Sequence, residues 1–468
     1  MRDSGAEESV SKMRAAGLSE AVITCFRRAW EKAASAEAGL MPESGLQAVD
    51  GVPRWAEVVD PSPDPALLEK LCVIKLNGGL GTGMGLERAK SLIAVKKGLT
   101  FLDFMARQIL WLRKTHRTSG PRFLLMDSFS TSEDTLAYLE RYPELSHGGE
   151  LDFLQSKVPK LMVDTLAPVT WPADPELEWC PPGHGDLYPS LLGSGWLDGL
   201  AEEGIEYLFI SNSDNLGASV DLGLLGYFAG SGLSFLMEVA ERTASDRKGG
   251  HLARRKSDGR LVLREVAQCP ENDQEAFQDI TRHRFFNTNT LWLRLSDLRA
   301  ALQENGGVLP LPLIQNTKTV DPRDASSPKV LQLESAMGAA IECFAQAGAV
   351  LVPRTRFAPV KATNDLLALR SDAYVVTEDE RLELSAECGG VPPEISLDPR
   401  YYKLLAGLEE SFGPKAPSLR QCRSLEVKGR WIFEDGVKCQ GRVKFDSSDQ
   451  GGTATAKSGS YADTTVEE

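Results

Sequence analysis

The stretch LNGGLGTGMG at residues 76–85 directly follows a short apolar run, and it decides the fold class of the chain. From Gly78 to Gly85 it holds five glycines in eight residues. Glycine accepts positive φ and lets a ligand approach the main chain, so such a loop can turn its backbone N–H groups toward phosphate oxygens at the end of a strand. The pattern predicts a phosphate- or nucleotide-binding loop after the first strand of an α/β domain. The alternative is a glycine loop with a purely structural role.

Two common phosphate-binding motifs do not fit this loop. Counted from Gly79, the third glycine of the dinucleotide fingerprint GxGxxG falls on Met84. A kinase-type P-loop needs a glycine directly before the Lys90-Ser91 pair, where this chain has Ala89. The loop therefore belongs to neither class.

Composition excludes several other classes of protein. The chain has 468 residues, 42% of them hydrophobic, with 52 Lys+Arg against 66 Asp+Glu and a formal charge of −14. This composition predicts an ordinary enzyme-like chain of two or three domains, and the acidic balance disfavours nucleic acid as a partner. No apolar run approaches the ~20 residues that span a bilayer, and the first thirty residues lack a signal-peptide pattern. The eight cysteines form no C-x-x-C pair, so neither a zinc site nor a disulfide framework is indicated, and a cytoplasmic protein is expected.

Outward from the loop, short apolar runs alternate with longer amphipathic stretches, which is typical of the strands and crossover helices of a parallel sheet. The predicted strands are residues 71–76, 122–126, 207–210, 234–239 and 290–294. The predicted helices are residues 10–36, 101–114, 133–142, 330–347 and 401–412. These patterns divide the chain into an N-terminal helical segment and linker (1–65), an α/β domain (66–370) and a C-terminal domain (371–468).

The C-terminal domain has a different pattern. Residues 425–445 alternate apolar and polar side chains and are punctuated by Gly429, Gly436 and Gly441, which predicts short strands in a small β-solenoid or sandwich. Residues 449–468 are rich in Gly, Ser, Thr and Asp and offer little apolar surface to bury, so a loose tail is expected.

The loop, together with Ala89-Lys90-Ser91, resembles the signature of the eukaryotic-type UTP:glucose-1-phosphate uridylyltransferases, also called UDP-glucose pyrophosphorylases. Relatives that act on N-acetylhexosamine phosphates typically carry LxGGxGTRLG, whereas this chain has Gly83 in place of the arginine. It departs from the commoner GPK form of the family at residues 88–90, which read RAK, but keeps the lysine.

The resemblance covers most of residues 10–445. It implies a Rossmann-like nucleotidyltransferase domain with a mixed, mainly parallel sheet. It also implies a small C-terminal domain that is similar to a left-handed β-helix.

Further motifs continue the resemblance in chain order. They read FLQSKVP at 153–159, CPPGHGDLY at 180–188, LFISNSDNLG at 208–217, REVAQ at 264–268, FNTNTLW at 286–292 and FAPVKATNDL at 357–366. The physical chemistry of these residues suits the roles that the resemblance implies. An amide such as Gln155 offers a donor and an acceptor to the uracil edge, and a carboxylate placed just past a strand, as Asp214 is, suits Mg²⁺. Read without the family, each of these side chains could also be a solvated or capping residue.

The resemblance assigns roles residue by residue. The implied catalytic residues, which stabilise phosphate charge, are Lys90, Lys361 and His184. The implied nucleotide-binding residues are Leu76, Asn77, Gly78, Gly79, Gln155, Gly183 and Asn212. The implied sugar-binding residues are Asn215, Glu265, Asn287 and Asn289, and the implied Mg²⁺ ligand is Asp214.

The activity expected from this resemblance is formation of UDP-glucose and pyrophosphate from UTP and glucose 1-phosphate, with Mg²⁺ as cofactor. A broad-specificity UDP-sugar pyrophosphorylase is an alternative enzyme, and a non-catalytic nucleotide-sugar-binding protein is an alternative from another class. Neither a nucleic acid nor a membrane is expected as a partner. A monomer and a weak homo-oligomer both remain open.

Overall fold

The structure is a computed structural model, and it describes residues 2–35, 39–146, 149–243, 246–413, 416–447 and 452–468. The helices are α1 Arg2–Ala15, α2 Glu20–Ala34, α3 Trp55–Val58, α4 Phe101–His116, α5 Ser132–Leu139, α6 Leu187–Gly193, α7 Trp196–Glu202, α8 Leu222–Gly230, α9 Gln274–Gln278, α10 Leu295–Glu304, α11 Thr363–Arg370, α12 Pro399–Tyr402 and α13 Leu405–Phe412.

The first group of strands comprises β1 Leu46–Ala48, β2 Leu71–Leu76, β3 Ala94–Lys96, β4 Leu99–Thr100, β5 Arg122–Asp127, β6 Asp152–Leu154, β7 Val158–Pro159, β8 Leu161–Met162, β9 Trp179–Cys180, β10 Tyr207–Asn212, β11 Phe235–Glu241, β12 His251–Arg255 and β13 Leu261–Arg264. The second comprises β14 Phe285–Arg294, β15 Ile314–Thr319, β16 Lys329–Glu334, β17 Ala347–Leu351, β18 Tyr374–Val376, β19 Leu382–Leu384, β20 Glu394–Leu397, β21 Ser418–Lys428, β22 Arg430–Phe433, β23 Val437–Asp446, β24 Thr453–Ala456 and β25 Gly459–Glu467.

A ten-stranded mixed sheet forms the centre of the molecule. Its order is β1-β12-β14-β10-β2-β5-β6, with β11 paired to β14 and β17, and β13 paired to β12. Strand β2 runs parallel to both β10 and β5, and β5 runs parallel to β6. The strands that carry the glycine loop are therefore parallel, and their carboxyl ends meet at one edge, where ligands bind in open α/β sheets. This confirms the prediction of a mixed α/β fold.

Both faces of this sheet are covered, which explains why its central strands are mostly apolar. One face packs against α4 through Val73, Phe123, Phe209, Phe104 and Met105. The other face packs against α6 and α10 through Ile74, Leu124, Leu208, Leu187 and Leu298. Helix α4 begins at Thr100, whose hydroxyl accepts from the Asp103 N–H while the Asp103 carboxylate accepts from the Thr100 N–H.

The predicted helix over residues 330–347 is wrong. The segment instead forms strand β16, a 3₁₀ turn at Met337–Cys343 and the start of β17. Strand β16 pairs antiparallel with both β15 and β8 and buries Val330 and Leu333. Pairing with two neighbours outweighs the helix propensity of the alanines that follow, which is a weak local preference.

Two other predicted helices are interrupted. The N-terminal helix is divided into α1 and α2 around Gly17, which has φ of 75°. The segment at 401–412 is divided into α12 and α13. The helical character of both regions is confirmed, but their continuity is not.

The C-terminal region consists largely of parallel strands. Strands β20, β21, β23 and β25 form one four-stranded parallel sheet, and β22 and β24 form a second parallel pair. Gly429, Gly436 and Gly441 have φ of 76°, 88° and 63°. Gly429 and Gly436 therefore adopt the left-handed backbone that bends the chain from one strand into the next, whereas Gly441 lies within β23, where the strand pairing is irregular.

The predicted loose tail is wrong for residues 452–468, while residues 449–451 lie outside the described part of the chain. Strand β25 pairs in parallel with β23 over much of its length. The strand buries little side-chain surface, but β23 supplies partners for its backbone, so a polar sequence can still be a strand.

The predicted division at residues 65 and 370 stays a prediction. Strand β1 joins the central sheet by pairing with β12, so part of the N-terminal segment is built into the α/β unit. A continuous hydrophobic cluster also joins Phe104 on the α/β side to Leu397 and Leu425 on the C-terminal side.

Candidate active site

The predicted site begins where β2 and β10 end side by side. Leu76 and Asn212 are register partners at the ends of these parallel strands. A hydrogen bond from the Ser213 N–H to the Leu76 carbonyl, 3.0 Å long, joins the two strand ends. The glycine loop and the Asp214 segment thus leave the sheet as neighbours.

Lys90 and Asp214 contact each other across this edge. The Lys90 ammonium donates to the Asp214 Oδ2 at 2.7 Å, although 124 residues separate the two in the chain. Both side chains are partly buried, with relative exposures of 17% and 22%. The second carboxylate oxygen, Oδ1, is buried and has no hydrogen-bond partner among the described residues. A buried carboxylate oxygen that lacks a hydrogen-bond partner can bind a cation.

Gly78 allows the side chain of Gln155 to approach the glycine loop. A Cβ built on Gly78 would lie 2.4 Å from the Gln155 Oε1, so any other residue would displace this amide. The Gln155 Nε2 in turn lies 3.5 Å from the Gly183 carbonyl. Positive φ, which the sequence analysis invoked for the loop, occurs in it only at Gly85, with φ of 78°. Close approach is therefore the reason for glycine at position 78.

Gly183 fits against a second segment of backbone. Its φ is 78°, and an added Cβ would lie 2.4 Å from the Ser335 carbonyl oxygen. The motif is also held by hydrogen bonds from the Ser335 N–H to the Pro182 carbonyl and from the Gly185 N–H to the Ser335 carbonyl, each 2.9 Å long. Glycine at this position satisfies both a conformational and a steric requirement.

The structure indicates a neutral His184. Its Nδ1 accepts a hydrogen bond of 2.9 Å from the Met337 N–H, so the proton of the neutral ring is on Nε2. Burial lowers the pKa of this imidazole to about 4. Of the two forms that the sequence allowed, a protonated ring or a neutral N–H donor, the structure supports the neutral donor.

The side chain of Asn77 points into the fold. Its amide donates to the Asp127 Oδ1 at 2.7 Å and to the Thr135 hydroxyl at 3.1 Å. Burial raises the pKa of Asp127 to about 7, although the hydrogen bond from Asn77 opposes this shift. The side chain of Asn77 therefore anchors the start of the loop, its backbone N–H donates to the Met126 carbonyl at 2.7 Å, and its nucleotide contact stays a prediction.

The predicted sugar-binding residues lie around a β-bulge. The pairing of β11 with β14 slips between Glu238 and Val239, where the partners are Thr290 and Asn287. The Asn287 amide donates to the Asn289 Oδ1 at 2.9 Å, and Asn289 has φ of 57°. Bulges of this kind redirect side chains beside active sites.

Glu265 lies close to this bulge. A Cβ built on Gly250 would lie 2.5 Å from both carboxylate oxygens of Glu265, and the Asn287 N–H donates to the Gly250 carbonyl at 3.2 Å. Burial raises the pKa of Glu265, and the Lys361 ammonium partly offsets the increase. Glu265 and Lys361 are therefore electrostatic neighbours.

The segment that carries Lys361 is attached to the Asp214 loop. The Val360 N–H donates to the Asp214 carbonyl at 3.1 Å, and the Ala358 N–H donates to the Asn215 Oδ1 at 2.9 Å. The Asn215 amide also donates to the Arg356 carbonyl at 3.2 Å. Lys361 itself is exposed. The side chain of Asn215 thus anchors this segment, and its sugar contact stays a prediction.

Several residues outside the predicted set support the site. Asp127 ends an apolar strand as Asp214 nearly does, and that signal could have found it. Ser335 and Gly250 contact residues of the motifs through their backbone or a small side chain. Such contacts give no signal in the sequence. Glu238 is the one carboxylate inside the apolar run FLMEVA at 235–240, which is a detectable signal.

A glycine loop at the carboxyl edge of parallel strands, facing a lysine–aspartate pair and a second lysine, defines a site of the nucleotidyltransferase class. Comparison with known proteins agrees. The family model described as UTP--glucose-1-phosphate uridylyltransferase matches residues 44–440. The chain belongs to this family.

Named relatives and solved structures are similar over most of the chain. The UTP--glucose-1-phosphate uridylyltransferase of Solanum tuberosum is 41% identical over 402 residues, which are 86% of this chain and 80% of the relative. The Saccharomyces cerevisiae protein of the same name is 38% identical over 411 residues, or 85% and 80% of the two chains. The structure of a point mutant of UDP-glucose pyrophosphorylase from Leishmania major, in complex with UDP-glucose, has a TM-score of 0.93 at 47% identity and covers 99% of both chains.

Three general features complete the description. All eight cysteines are free thiols. The described helices include none that is both long and apolar enough to cross a membrane. The described residues contain no cluster of three or more His, Cys, Asp or Glu side chains that could hold a metal on its own.

Proposed function

We propose that the chain transfers the uridylyl group of UTP to glucose 1-phosphate. A phosphate oxygen of glucose 1-phosphate attacks the α-phosphorus of UTP in line, the bond to the β-phosphate oxygen breaks, and UDP-glucose and pyrophosphate result. The single observation that carries this proposal is the contact between Lys90 and Asp214 beside the glycine loop. The Lys361 segment is tied to the Asp214 loop, which supports a site where cationic and anionic side chains surround a triphosphate.

UTP would bind along the glycine loop and the Gly183 motif. The backbone N–H groups of Gly78 and Gly79 can donate to phosphate oxygens, whereas the Asn77 N–H already donates to the Met126 carbonyl at 2.7 Å. Gln155, held between Gly78 and Gly183, can offer its amide to the uracil edge. Asn212, at the end of β10, lies within the same edge of the sheet.

Mg²⁺ would be held by Asp214. The Oδ1 of Asp214 is buried and has no hydrogen-bond partner among the described residues, so it can bind a cation. Mg²⁺ is often bound by one carboxylate, with the remaining coordination positions filled by water and substrate phosphate. When bound, the ion would neutralise part of the triphosphate charge.

Alignment and charge compensation are the contributions expected from the protein. The attacking oxygen is already anionic, so no general base and no covalent intermediate are required. Lys90 and Lys361 would offset negative charge from two sides, and the neutral His184 would donate its Nε2–H to a phosphate oxygen. Asp214 neutralises Lys90 in this structure, which fits a lysine that exchanges partners when phosphate arrives.

Glucose would be recognised at the bulge beside Lys361. The carboxylate of Glu265 and the amides of Asn287 and Asn289 match the donor and acceptor pattern of hexose hydroxyls. A site built for particular hydroxyls rejects sugars that leave its polar groups unpaired. The names of the relatives favour this specificity over the two alternatives, the broad-specificity enzyme and the non-catalytic binder.

For the C-terminal region, we propose that strands β20 to β25 form the small left-handed β-helix that the family resemblance implies. Their parallel pairing and glycine corners support this. A monomer or weak homo-oligomer and a cytoplasmic location stay predictions; the eight free thiols are consistent with a reducing compartment.

Pyrophosphate release tests the proposed function. The protein is supplied with Mg²⁺, glucose 1-phosphate and each of the four common nucleoside triphosphates, and then with UTP and a panel of sugar 1-phosphates. We expect release with UTP and glucose 1-phosphate far above every other pair. Comparable release with several sugars would favour the broad-specificity enzyme, and no release with any pair would contradict the proposal.

A further inference from the structure

A buried ion pair lies directly behind the segment that carries Lys361. Glu238, on β11, is fully buried, and its two carboxylate oxygens accept from the Arg356 Nε and Nη2 at 2.7 Å each. One of these oxygens also accepts from the Trp292 indole N–H at 2.9 Å. The guanidinium and the carboxylate therefore meet in a two-pronged geometry that fixes orientation as well as distance.

Arg356 connects this pair to the active-site loop. Its Nη2 donates to the Ser219 carbonyl at 2.9 Å, and its own carbonyl accepts from the Asn215 amide. A Cβ built on Gly217 would lie 2.5 Å from the Thr355 carbonyl oxygen, so the two backbones are in close contact. Arg356 is thus held from both its side chain and its main chain, five residues before Lys361.

The other side of Glu238 contacts the sugar-binding bulge. Its backbone carbonyl accepts from the Thr288 hydroxyl at 2.7 Å, and Thr288 stands between Asn287 and Asn289. One buried residue therefore bonds to the segment that carries the lysine and to the bulge that carries the sugar-binding amides.

We propose that Glu238, through Arg356, is the positioning residue that sets the place of Lys361 relative to the sugar-binding bulge. This inference rests on the proposed function. Neither Glu238 nor Arg356 is assigned a contact with substrate, so their effect on the reaction passes through Lys361.

A purely stabilising role accounts poorly for this pair. Burying two charges costs much of what their attraction returns, and apolar residues of similar volume often stabilise a core as well or better. The pair does provide a fixed direction, which apolar packing specifies less strictly. Lys361 is exposed and lies on a connecting segment, so its position depends on such anchors.

A double-mutant cycle tests the proposal. Glu238→Gln keeps the shape of the side chain but removes its charge, and it should lower kcat by about 100-fold, the effect of a misplacement of about 1 Å, with little change in KM. In a Lys361→Ala background the same substitution should lower kcat less than about twofold further, because the group it positions is gone. If Glu238→Gln does not fold, Arg356→Lys, which keeps the charge but not the two-pronged contact, replaces it in the same cycle.

Asp103→Asn is the matched control. Asp103 is also a buried carboxylate with several hydrogen bonds, but it contacts none of the predicted site residues. Any loss of kcat that it causes should be additive with Lys361→Ala.

The outcomes separate the two proposals. Additive losses for Glu238→Gln and Lys361→Ala in an active enzyme would overturn the positioning role alone. Absence of pyrophosphate release by the wild-type protein would overturn the proposed function and this inference with it.

Discussion

At the scale of single residues, the site depends on side chains whose surroundings fix one chemical form. Lys361 is exposed, so its removal leaves no cavity in the core, although it takes away the ammonium that partly offsets the raised pKa of Glu265. This separates its contribution to catalysis from any contribution to folding.

Lys361→Ala should lower turnover by orders of magnitude, because one of two cations that offset phosphate charge is lost. The free energy of unfolding should change by less than about 0.5 kcal/mol. Pyrophosphate release and urea unfolding measure the two effects, and Lys403→Ala, at another exposed lysine, serves as the control. A Lys361→Ala enzyme with near-normal turnover would exclude the proposed role.

For His184, the predicted form is a neutral ring that donates from Nε2. His184→Gln retains an N–H donor at about the position of Nε2, whereas His184→Asn can still accept near the Met337 N–H but is too short to place a donor at that position. Turnover of the Asn variant should therefore fall roughly 100-fold below that of the Gln variant, the cost of one preorganised donor. Equal turnover of the two variants would contradict the donor role.

The pH dependence provides a second test of His184. Burial lowers the pKa of the ring to about 4, so protonation, which would displace the Met337 hydrogen bond, begins only well below pH 6. Profiles of kcat/KM for wild type and His184→Gln should therefore have the same shape between pH 6 and 8. A limb near pH 6.5 that is present only in the wild type would show that the ring titrates.

At the scale of elements, the glycine loop is defined by what approaches it. Gly78→Ala places a methyl group against the Gln155 Oε1, and the amide must move. We expect the KM for UTP to rise about tenfold, the equivalent of one hydrogen bond of about 1.4 kcal/mol, with the fold retained. Gly199→Ala, on α7 with open space around the added methyl group, is the control. An unchanged KM would indicate that Gln155 does not contact the base.

The stability of the protein should depend on pH through Asp127, which bonds to Asn77 at the start of the glycine loop. Its pKa is raised by burial to about 7, against about 3.9 in an unfolded chain, so the folded state retains this proton over the range between. The stability that this proton contributes is fully present below about pH 4 and is lost as pH rises through 7.

Asp127→Asn mimics the protonated form at every pH. The free energy of unfolding of this variant, relative to wild type, should therefore increase by up to about 3 kcal/mol between pH 5 and pH 8. Urea unfolding at both pH values measures this difference. A difference that does not change with pH would show that Asp127 is ionised throughout this range.

Local pattern predicted some elements well and others poorly, and the reason is physical. Strand β2 coincides with the predicted residues because a buried parallel strand forms a short apolar run, which Lys75 interrupts at one position. The pattern around β16 predicts a helix instead of a strand, because an apolar run followed by alanines has no clear period. Strand β25 was missed because its stability comes from the backbone of β23, which local sequence does not report.

At the scale of the whole molecule, the motifs predicted which residues meet, but not how they are held. Lys90 and Asp214 are 124 residues apart, and only the parallel pairing of β2 with β10 brings their segments together. The anchoring roles of Asn215 and Glu238 could not be predicted, because each depends on partners more than a hundred residues away.

The central claim is that the ammonium groups of Lys90 and Lys361 contact a triphosphate that lies on the glycine loop, close to Asp214. A crystal structure of this protein with UDP-glucose and Mg²⁺ tests it most directly. The account predicts the uracil beside Gln155, the diphosphate along the loop, and at least one phosphate oxygen within about 3 Å of a lysine ammonium. A sugar nucleotide bound away from residues 76–85, or phosphates that neither lysine reaches, would contradict it.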